Sequence, residues 1–357
     1  VLSDRKGSTS SIAAALAGGA ASTQHVVTET ADNAVGARTV FEDVPPTNDV
    51  YRAWLSLARA VGATDPADTP SEVATRAVEH GLDGEAVARV FREIMSECLA
   101  LEQQIQVAFL GPEGTFTQQA VLKHFGHAVE ARPLGAIDEV FREVEAGAAH
   151  YGVVPVENST EGVVNHTLDS FMTSTLQICG EVEQRIHHHL LMGPNTQRDK
   201  ISRVYSHQQT LAQCRKWLDA HMPGAERVAV SSNADAAKRV RGEWNAAAIA
   251  GDVAAEIYGL ESLQRNIEDN PDNTTRFIII GRQDVLPTGN DKTSLLVSGK
   301  NRPGLLYHVL EPFQKHSINL TRLESRPSLT GNWSYVFFID FEGHRADPAA
   351  QQALSEL

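Results

Sequence analysis

The chain has 357 residues, of which 42% are hydrophobic and 21% charged, and its formal net charge is −14. This size and composition are typical of a soluble globular protein with two or three domains. The acidic balance argues against a nucleic-acid partner, which would require a concentrated basic face. It does not exclude a small anionic substrate, because a cleft can hold local donors within an acidic protein.

The sequence also limits where the protein works. No run of about 18 apolar residues predicts a membrane span. The cysteines, Cys98, Cys179 and Cys214, are odd in number and widely spaced. Such spacing predicts neither a disulfide framework nor a zinc site, and it favours a reducing, cytoplasmic location.

The N-terminal third changes texture near residue 71. Residues 1–70 are rich in Ala, Gly, Ser and Thr, with little periodicity, so we expect a poorly defined segment that is loosely ordered or only partly helical. Residues 71–104 carry an apolar stripe at helical period, with Asp83 as a candidate N-cap. This pattern predicts a long helix that ends near Gln104.

From Ile105 to Gly281 short apolar runs alternate with helical patterns, which predicts an α/β domain with a mainly parallel sheet and helices on both faces. From Lys292 the predicted order is β-α-β-β, the beginning of a ferredoxin-like βαββαβ domain. Asp347-Pro348 then opens a helix and no final strand follows, so we expect this domain, residues 292–357, to be C-terminally truncated.

Four clusters of polar residues stand at the ends of predicted strands. Each, taken alone, could be a capping turn, but binding sites in α/β sheets lie at the carboxyl ends of strands. The clusters are Gly111–Thr115, Pro155–Ser159 with Glu161, Ser206–Thr210, and Asn273–Phe277.

Taken together, the clusters resemble the motifs of the prephenate dehydratase family. The matching segments, in order, are GPEGTFTQQA, GVVPVENSTEGVVNHTLD, SHQQTLAQC and NTTRF. One departure is Gln208, where many members have Pro. The resemblance implies a two-lobed dehydratase domain over 105–283, folded like the periplasmic binding proteins. Lobe one would be 105–183 with 263–283, and lobe two 184–262.

The implied reaction is the decarboxylating dehydration of prephenate to phenylpyruvate, with no cofactor, in L-phenylalanine biosynthesis. The family assigns an essential part to Thr275, which we interpret as a hydrogen-bond donor to the leaving oxygen because its hydroxyl does not ionise near neutral pH. Glu157 and His207 are rival proton sources, and prephenate and arogenate remain rival substrates. The residues expected to bind substrate in the same cleft are Thr115, Asn158, Ser159, Ser206, Gln209, Arg276 and Phe277.

A metal site is not expected. His187, His188 and His189 are consecutive, and successive side chains on a strand point to opposite faces, so three adjacent histidines do not converge easily on one ion.

The C-terminal domain resembles the phenylalanine-sensing ACT domains attached to this enzyme. The matching motifs imply that L-phenylalanine binds between paired domains as an effector, which requires a homodimer or homotetramer. Their residues are Gly304, Leu305 and Leu306 at a helix start, and Glu324, Ser325, Arg326 and Pro327 after a strand.

Two alternatives remain open. In many bacterial relatives a helical chorismate mutase precedes the dehydratase, and residues 71–104 resemble its last helix, with Cys98 and Glu102 on one face. The expected Arg-x-x-Ile-Asp helix is not found upstream, so an active mutase is the less favoured hypothesis. The other alternative is a non-catalytic binding and sensor protein, against which the Glu157–Ser159 and Thr275–Phe277 segments argue.

Overall fold

The structure, a computed structural model, describes residues 22–30, 78–79, 81, 83–299, 302–328 and 334–357. The helices are α1 (Gly84–Glu102), α2 (Phe116–Phe125), α3 (Ile137–Glu145), α4 (Asn165–Phe171), α5 (Gln208–Gln213), α6 (Arg215–His221), α7 (Asn233–Val240), α8 (Asp252–Tyr258), α9 (Leu305–Lys315) and α10 (Pro348–Ser355). The strands are β1 (Ser22–Thr30), β2 (Gln106–Leu110), β3 (Glu130–Leu134), β4 (Tyr151–Asn158), β5 (Gly162–Val163), β6 (Gln177–Arg185), β7 (His189–Met192), β8 (Arg203–His207), β9 (Glu226–Val230), β10 (Ala246–Ala250), β11 (Glu261–Gln264), β12 (Thr274–Gly281), β13 (Asp291–Gly299), β14 (Leu320–Pro327) and β15 (Tyr335–Glu342).

The central part of the chain forms two lobes, each built on its own sheet. The first sheet has the order β3-β2-β4-β12-β6, and the second has the order β11-β7-β10-β8-β9. The chain crosses between them after β6 and returns before β12. The expected two-lobed fold is therefore confirmed.

The sheets are mixed, so the prediction of a mainly parallel architecture is wrong. In lobe one β2 runs parallel to β3 and β4, whereas β12 is antiparallel to both β4 and β6. In lobe two β8 is parallel to β9 and β10, and β7 is antiparallel to β10. In lobe one the antiparallel pairs involve β12, which enters from lobe two and not through a crossover helix of its own sheet, the connection that parallel strands need.

Local structure differs from the sequence prediction in several places. The apolar spacing predicts one helix from Thr210 to Ala220, whereas the structure has two short helices that meet at Cys214. The sequence also predicts a helix from Gly162 to Met172, but Gly162 and Val163 pair with β4 and the helix begins at Asn165. The elements β3, α8 and β11 were not predicted, because their short segments carry little apolar periodicity.

Helix α1 is confirmed and packs against lobe one. The Asp83 carboxylate caps it by accepting hydrogen bonds from the backbone N–H groups of Glu85 and Ala86. Phe91 is fully buried, and the Glu93 carboxylate contacts the His127 ring at 2.8 Å. The prediction that Cys98 and Glu102 share one face lies outside what the structure describes, and so do residues 31–77.

The C-terminal domain has a four-stranded sheet in the order β1-β13-β15-β14, with α9 and α10 on one face. Strand β1 pairs antiparallel with β13, whereas the sequence predicts a loosely ordered or only partly helical segment there. The other face of the sheet packs against lobe one, where Leu296 and Phe338 join the core formed by Val156 and Ile278. Among the described residues, no helix is both long and apolar enough to cross a membrane.

A buried histidine makes lobe one sensitive to acid. His124 on α2 is 6% exposed, and burial, helped by the nearby Arg92 charge, lowers the pKa of its imidazole to about 3. The folded protein therefore does not bind this proton until about pH 3, whereas the unfolded chain binds it below about pH 6.5. This contribution to stability is present above about pH 6.5 and is lost progressively as the pH falls.

We expect His124→Leu to weaken the acid dependence of the free energy of unfolding. Relative to the parent, the variant should gain about 2 kcal/mol between pH 7.5 and pH 5, because each pH unit is worth about 1.4 kcal/mol per proton. Urea denaturation at the two pH values measures this difference. His221→Leu, at an exposed ring stacked on Trp217, is the control and should keep the parent's dependence. An equal slope in His124→Leu and the parent would contradict the prediction.

Candidate active site

A cavity of about 410 Å³ lies between the two lobes. Lobe one contributes the turn before α2 and the ends of β4 and β12, and lobe two contributes the ends of β8 and β9. Five of the residues predicted from the sequence line it together: Thr115, Asn158, His207, Gln209 and Thr275. A second concavity of about 640 Å³ adjoins it and shares His207 and Gln209 in its wall.

Asn158 and Thr275 form the lobe-one side of the cavity. They are direct cross-strand partners on β4 and β12, so both side chains leave the sheet on the same face. The Asn158 Nδ2 donates to the Thr275 Oγ1 at 2.7 Å. Since the threonine oxygen accepts this bond, its own hydrogen points away from Asn158 and is free to be donated to a molecule in the cavity.

On the lobe-two side, one asparagine holds the SHQQT turn. The Asn233 Oδ1 accepts the His207 backbone N–H at 3.1 Å and the Ser206 hydroxyl at 2.9 Å. Ser232 caps α7 by accepting the Asp235 N–H, so its hydroxyl hydrogen is directed elsewhere. Helices α2 and α7 both begin at this cavity, and a helix N-terminus favours an anion.

His188 and Gln213 complete the wall. The His188 ring is 1% exposed, stands edge-on to Phe116, and contacts the Gln213 Oε1 through Nε2 at 2.9 Å. Burial lowers the pKa of this imidazole, so His188 is neutral near pH 7.

Two residues predicted for the cleft lie on the opposite face of the sheet. Glu157 immediately precedes Asn158, and Arg276 immediately follows Thr275. Successive strand residues alternate between the two faces of a sheet, so Glu157 and Arg276 point away from the cavity. Arg276 ion-pairs with Glu181 and, at 2.9 Å, with Asp340 of the C-terminal domain. The expectation that Arg276 holds the substrate and Glu157 supplies a proton does not agree with this placement.

Three further residues predicted to bind substrate have side chains that make structural contacts within the protein. Ser206 is fully buried, and its hydroxyl lies 2.8 Å from the Ile249 carbonyl oxygen. Phe277 is 2% exposed and belongs to the lobe-one core. The Ser159 Oγ accepts the Thr274 N–H at 3.0 Å.

Charged side chains join the face of lobe one opposite the cavity to the C-terminal domain. Lys292 Nζ lies 3.0 Å from the Glu181 carboxylate, and Arg322 lies 3.7 Å from Asp340 and 3.9 Å from Glu157. The interdomain ionic cluster is defined as Glu157, Glu181, Arg276, Lys292, Arg322 and Asp340. Its three positive and three negative groups balance, as burial of charge requires.

The predicted effector residues divide between the two faces of the C-terminal sheet. Gly304, Leu305 and Leu306 line a concavity of about 250 Å³ with Tyr335 and Phe337. Glu324 and Arg326 lie elsewhere.

Glu324 pairs with Phe338, on the face that packs against lobe one, and Arg326 binds both Asp169 carboxylate oxygens at 2.6 and 2.8 Å. Ser325 instead pairs with Phe337, on the helix-facing side, whereas Pro327 pairs with Tyr335 at the end of the strand.

The three adjacent histidines make separate contacts. His187 bonds Glu268 at 2.8 Å, and the His189 Nδ1 accepts the Asn266 N–H at 3.1 Å. Within the described ranges of the chain, no group of three His, Cys, Asp or Glu side chains is placed to hold a metal ion.

Several cavity residues were not assigned a binding role from the sequence, although Glu161 and Asn273 belong to the four polar clusters. All but Gln213, which ends α5, lie just after or before a strand, so the rule that sites lie at strand ends would have indicated them. The residues concerned are Glu161, His188, Gln213, Ser231, Ser232, Asn233 and Asn273.

Comparison with known proteins agrees with this geometry. The prephenate dehydratase family model matches residues 107–285, and the ACT domain model matches residues 293–357. A bifunctional chorismate mutase/prephenate dehydratase of Pseudomonas aeruginosa is 66% identical, over 77% of this chain and 76% of the relative. A prephenate dehydratase of Mycolicibacterium vanbaalenii is 37% identical, over 70% of this chain and 86% of its own.

A solved structure supports the same assignment. The prephenate dehydratase from Arthrobacter aurescens, in complex with L-Phe, superposes with a TM-score of 0.65 and 37% identity, covering 71% of this chain and 85% of that one. The chain therefore belongs to the prephenate dehydratase family, with an ACT domain following the dehydratase domain.

Proposed function

We propose that the interlobe cavity converts prephenate to phenylpyruvate, with Thr275 donating a hydrogen bond to the departing hydroxyl. The observation that carries this proposal is the bond from Asn158 to Thr275, which leaves the threonine hydrogen available to the cavity. Both residues lie within the region that matches the dehydratase family model.

The reaction determines what the site must supply. The bond between the ring and its carboxylate breaks, its electron pair enters the ring, and the carbon–oxygen bond on the opposite ring carbon breaks. One proton joins the departing hydroxide, so prephenate dianion and a proton give phenylpyruvate, carbon dioxide and water. Aromatisation provides the driving force, and the protein mainly orients the dianion and stabilises the leaving oxygen.

Neutral donors suit a carboxylate that must leave as carbon dioxide. The dianion can be held by Thr115, Ser232 and the N-termini of α2 and α7. A cation beside the departing carboxylate would stabilise bound prephenate as much as the transition state and would not raise kcat. Of the two proton sources left open by the sequence, this geometry favours His207, because it lines the cavity while Glu157 faces the interdomain ionic cluster.

The direct test is formation of phenylpyruvate from prephenate, followed by its absorbance in alkali. Turnover is expected, and its absence with intact binding of prephenate would favour the non-catalytic alternative. Chorismate in a parallel assay tests the mutase, and arogenate tests substrate choice. We also propose a cytoplasmic location, in keeping with the biosynthetic relatives.

We further propose that L-phenylalanine binds at the concavity beside Gly304 and lowers dehydratase activity. The related Arthrobacter structure contains L-Phe. The wall includes Leu306 and Tyr335, which are 38% and 39% exposed, so a second copy of the ACT domain can cover it in a homodimer or homotetramer.

We expect Gly304→Ala to raise the inhibitory concentration of phenylalanine at least about tenfold, with little change in kcat. Gly304 has φ of +83° at the start of α9, and a side chain there strains the turn that shapes the concavity. Inhibition curves at fixed prephenate measure this. Gly289→Ala is the control, since Gly289 has φ of +89° in the interdomain linker. Equal inhibition of Gly304→Ala and the parent would place the effector elsewhere.

A further inference from the structure

Asn273 contacts Asn158, the partner of Thr275, and two independent sets of hydrogen bonds fix which way its side-chain amide points. Its side chain is 3% exposed and lies at the point where the chain re-enters lobe one before β12. The Asn273 Oδ1 lies 2.8 Å from the Asn158 Nδ2 and 3.1 Å from the Thr160 hydroxyl.

The first set of hydrogen bonds fixes the Asn158 amide through backbone donors. The Asn158 Oδ1 accepts the N–H groups of Thr160 and Glu161 at 2.9 and 3.0 Å. Backbone N–H groups can only donate, so the oxygen of the Asn158 amide must face them and its NH₂ must face the other way. That NH₂ has two hydrogens, and its two short contacts are to Thr275 and Asn273.

The second set of hydrogen bonds fixes the Asn273 amide through the Glu161 carboxylate, which can only accept. The Gln213 Nε2 donates to Glu161 at 3.1 Å, so the Gln213 oxygen faces inwards. That oxygen lies 2.9 Å from the His188 Nε2 and 3.5 Å from the Asn273 Nδ2, both of which must therefore be donors. Asn273 thus presents its nitrogen to lobe two and its oxygen to Asn158, in agreement with the first assignment.

We propose that Asn273 is a positioning residue for the dehydration: it holds the Asn158 amide so that Thr275 can act only as a donor toward the substrate. Gln213, supported by neutral His188, sets the orientation of Asn273 from lobe two. The donor geometry of Thr275 therefore depends on contact between the lobes. This inference rests on the proposed function of the cavity.

The kinetic test compares Asn273→Ala, Thr275→Ala and the double variant. Asn273→Ala is expected to lower kcat about tenfold or more with KM changed less than about threefold, because it acts on the transition state through Thr275. In the Thr275→Ala background the same substitution should cause no further loss, since interacting residues are not additive. An equal loss in both backgrounds, or a kcat within twofold of the parent, overturns the inference.

Two additions keep the test decisive if Asn273→Ala folds poorly. Gln213→Met changes a half-buried position on α5 and should lower kcat about threefold or more, again with little effect on KM. Asn245→Ala, on the far side of lobe two, where its amide bonds Ser202, is the matched control. A parent-like kcat in Gln213→Met counts against the inference.

The side-chain amide signals of ¹⁵N-asparagine provide a readout without turnover. Gln213→Met should shift the Asn273 and Asn158 side-chain signals and leave that of Asn245 in place. Unchanged Asn158 and Asn273 signals overturn the positioning role even if the parent fails to convert prephenate, a failure that would count against the proposed function alone.

Discussion

Thr275→Ala should lower kcat for prephenate by a factor of about 10² to 10³ or more while the protein stays folded. The substitution removes the hydroxyl that Asn158 directs toward the cavity, and loss of one such donor to a developing oxyanion costs this much in other enzymes. Thr275 lines the cavity, so loss of its methyl and hydroxyl mainly enlarges a space that already exists. Steady-state kinetics and thermal unfolding of the same preparation measure both effects.

Two matched variants sharpen this result. Thr275→Ser keeps a hydroxyl within reach of Asn158 and should retain much of the parent's kcat. Thr274→Ala removes the neighbouring hydroxyl, which lies 3.4 Å from the Asp272 carbonyl oxygen, and should leave kcat within about twofold. An unchanged kcat in Thr275→Ala would reject the assigned role, whereas equal losses at both positions would indicate a general effect on the strand.

Arg276→Met should lower the free energy of unfolding by about 3 kcal/mol and leave KM for prephenate within about threefold. The Arg276 side chain is 13% exposed and pairs with two buried carboxylates, Glu181 and Asp340. Removal of one partner from a buried ion pair leaves the remaining charge partly uncompensated, which is more costly than loss of the pair as a whole.

The two readouts separate two roles for this arginine. If Arg276 bound a substrate carboxylate, the variant would raise KM strongly, because charge-assisted hydrogen bonds to carboxylates are among the strong ones. Chemical denaturation and steady-state kinetics together distinguish the cases. Arg142→Met, at a 67% exposed residue of α3, is the control and should change stability by less than about 0.5 kcal/mol.

The interdomain ionic cluster connects the ACT domain physically to the strands that line the cleft. Arg276 immediately follows Thr275, and Glu157 immediately precedes Asn158, so both β4 and β12 contact the ACT domain through the face opposite the cavity. Arg322 lies on β14, the strand that also carries Glu324 and Arg326. A displacement of this strand would act directly on the backs of β4 and β12.

Much about this protein followed from the sequence alone, because it is encoded locally. Apolar periodicity and capping residues predicted α1 and its Asp83 cap. The four ordered motifs indicated the family and its two-lobed fold. Thr115, Asn158, His207, Gln209 and Thr275 were predicted together and line one cavity.

Only the tertiary structure decided which neighbours of these residues face the cavity. A motif such as Thr275-Arg276-Phe277 names three residues in a row, but a strand sends them to alternate faces, and the sheet's surroundings determine what each face meets. Arg276 meets the carboxylate of Asp340, which lies 64 residues further along the chain, and Phe277 enters the core. Asn273 and Gln213 contact each other across the lobes, and the local sequence carries no signal for that pairing.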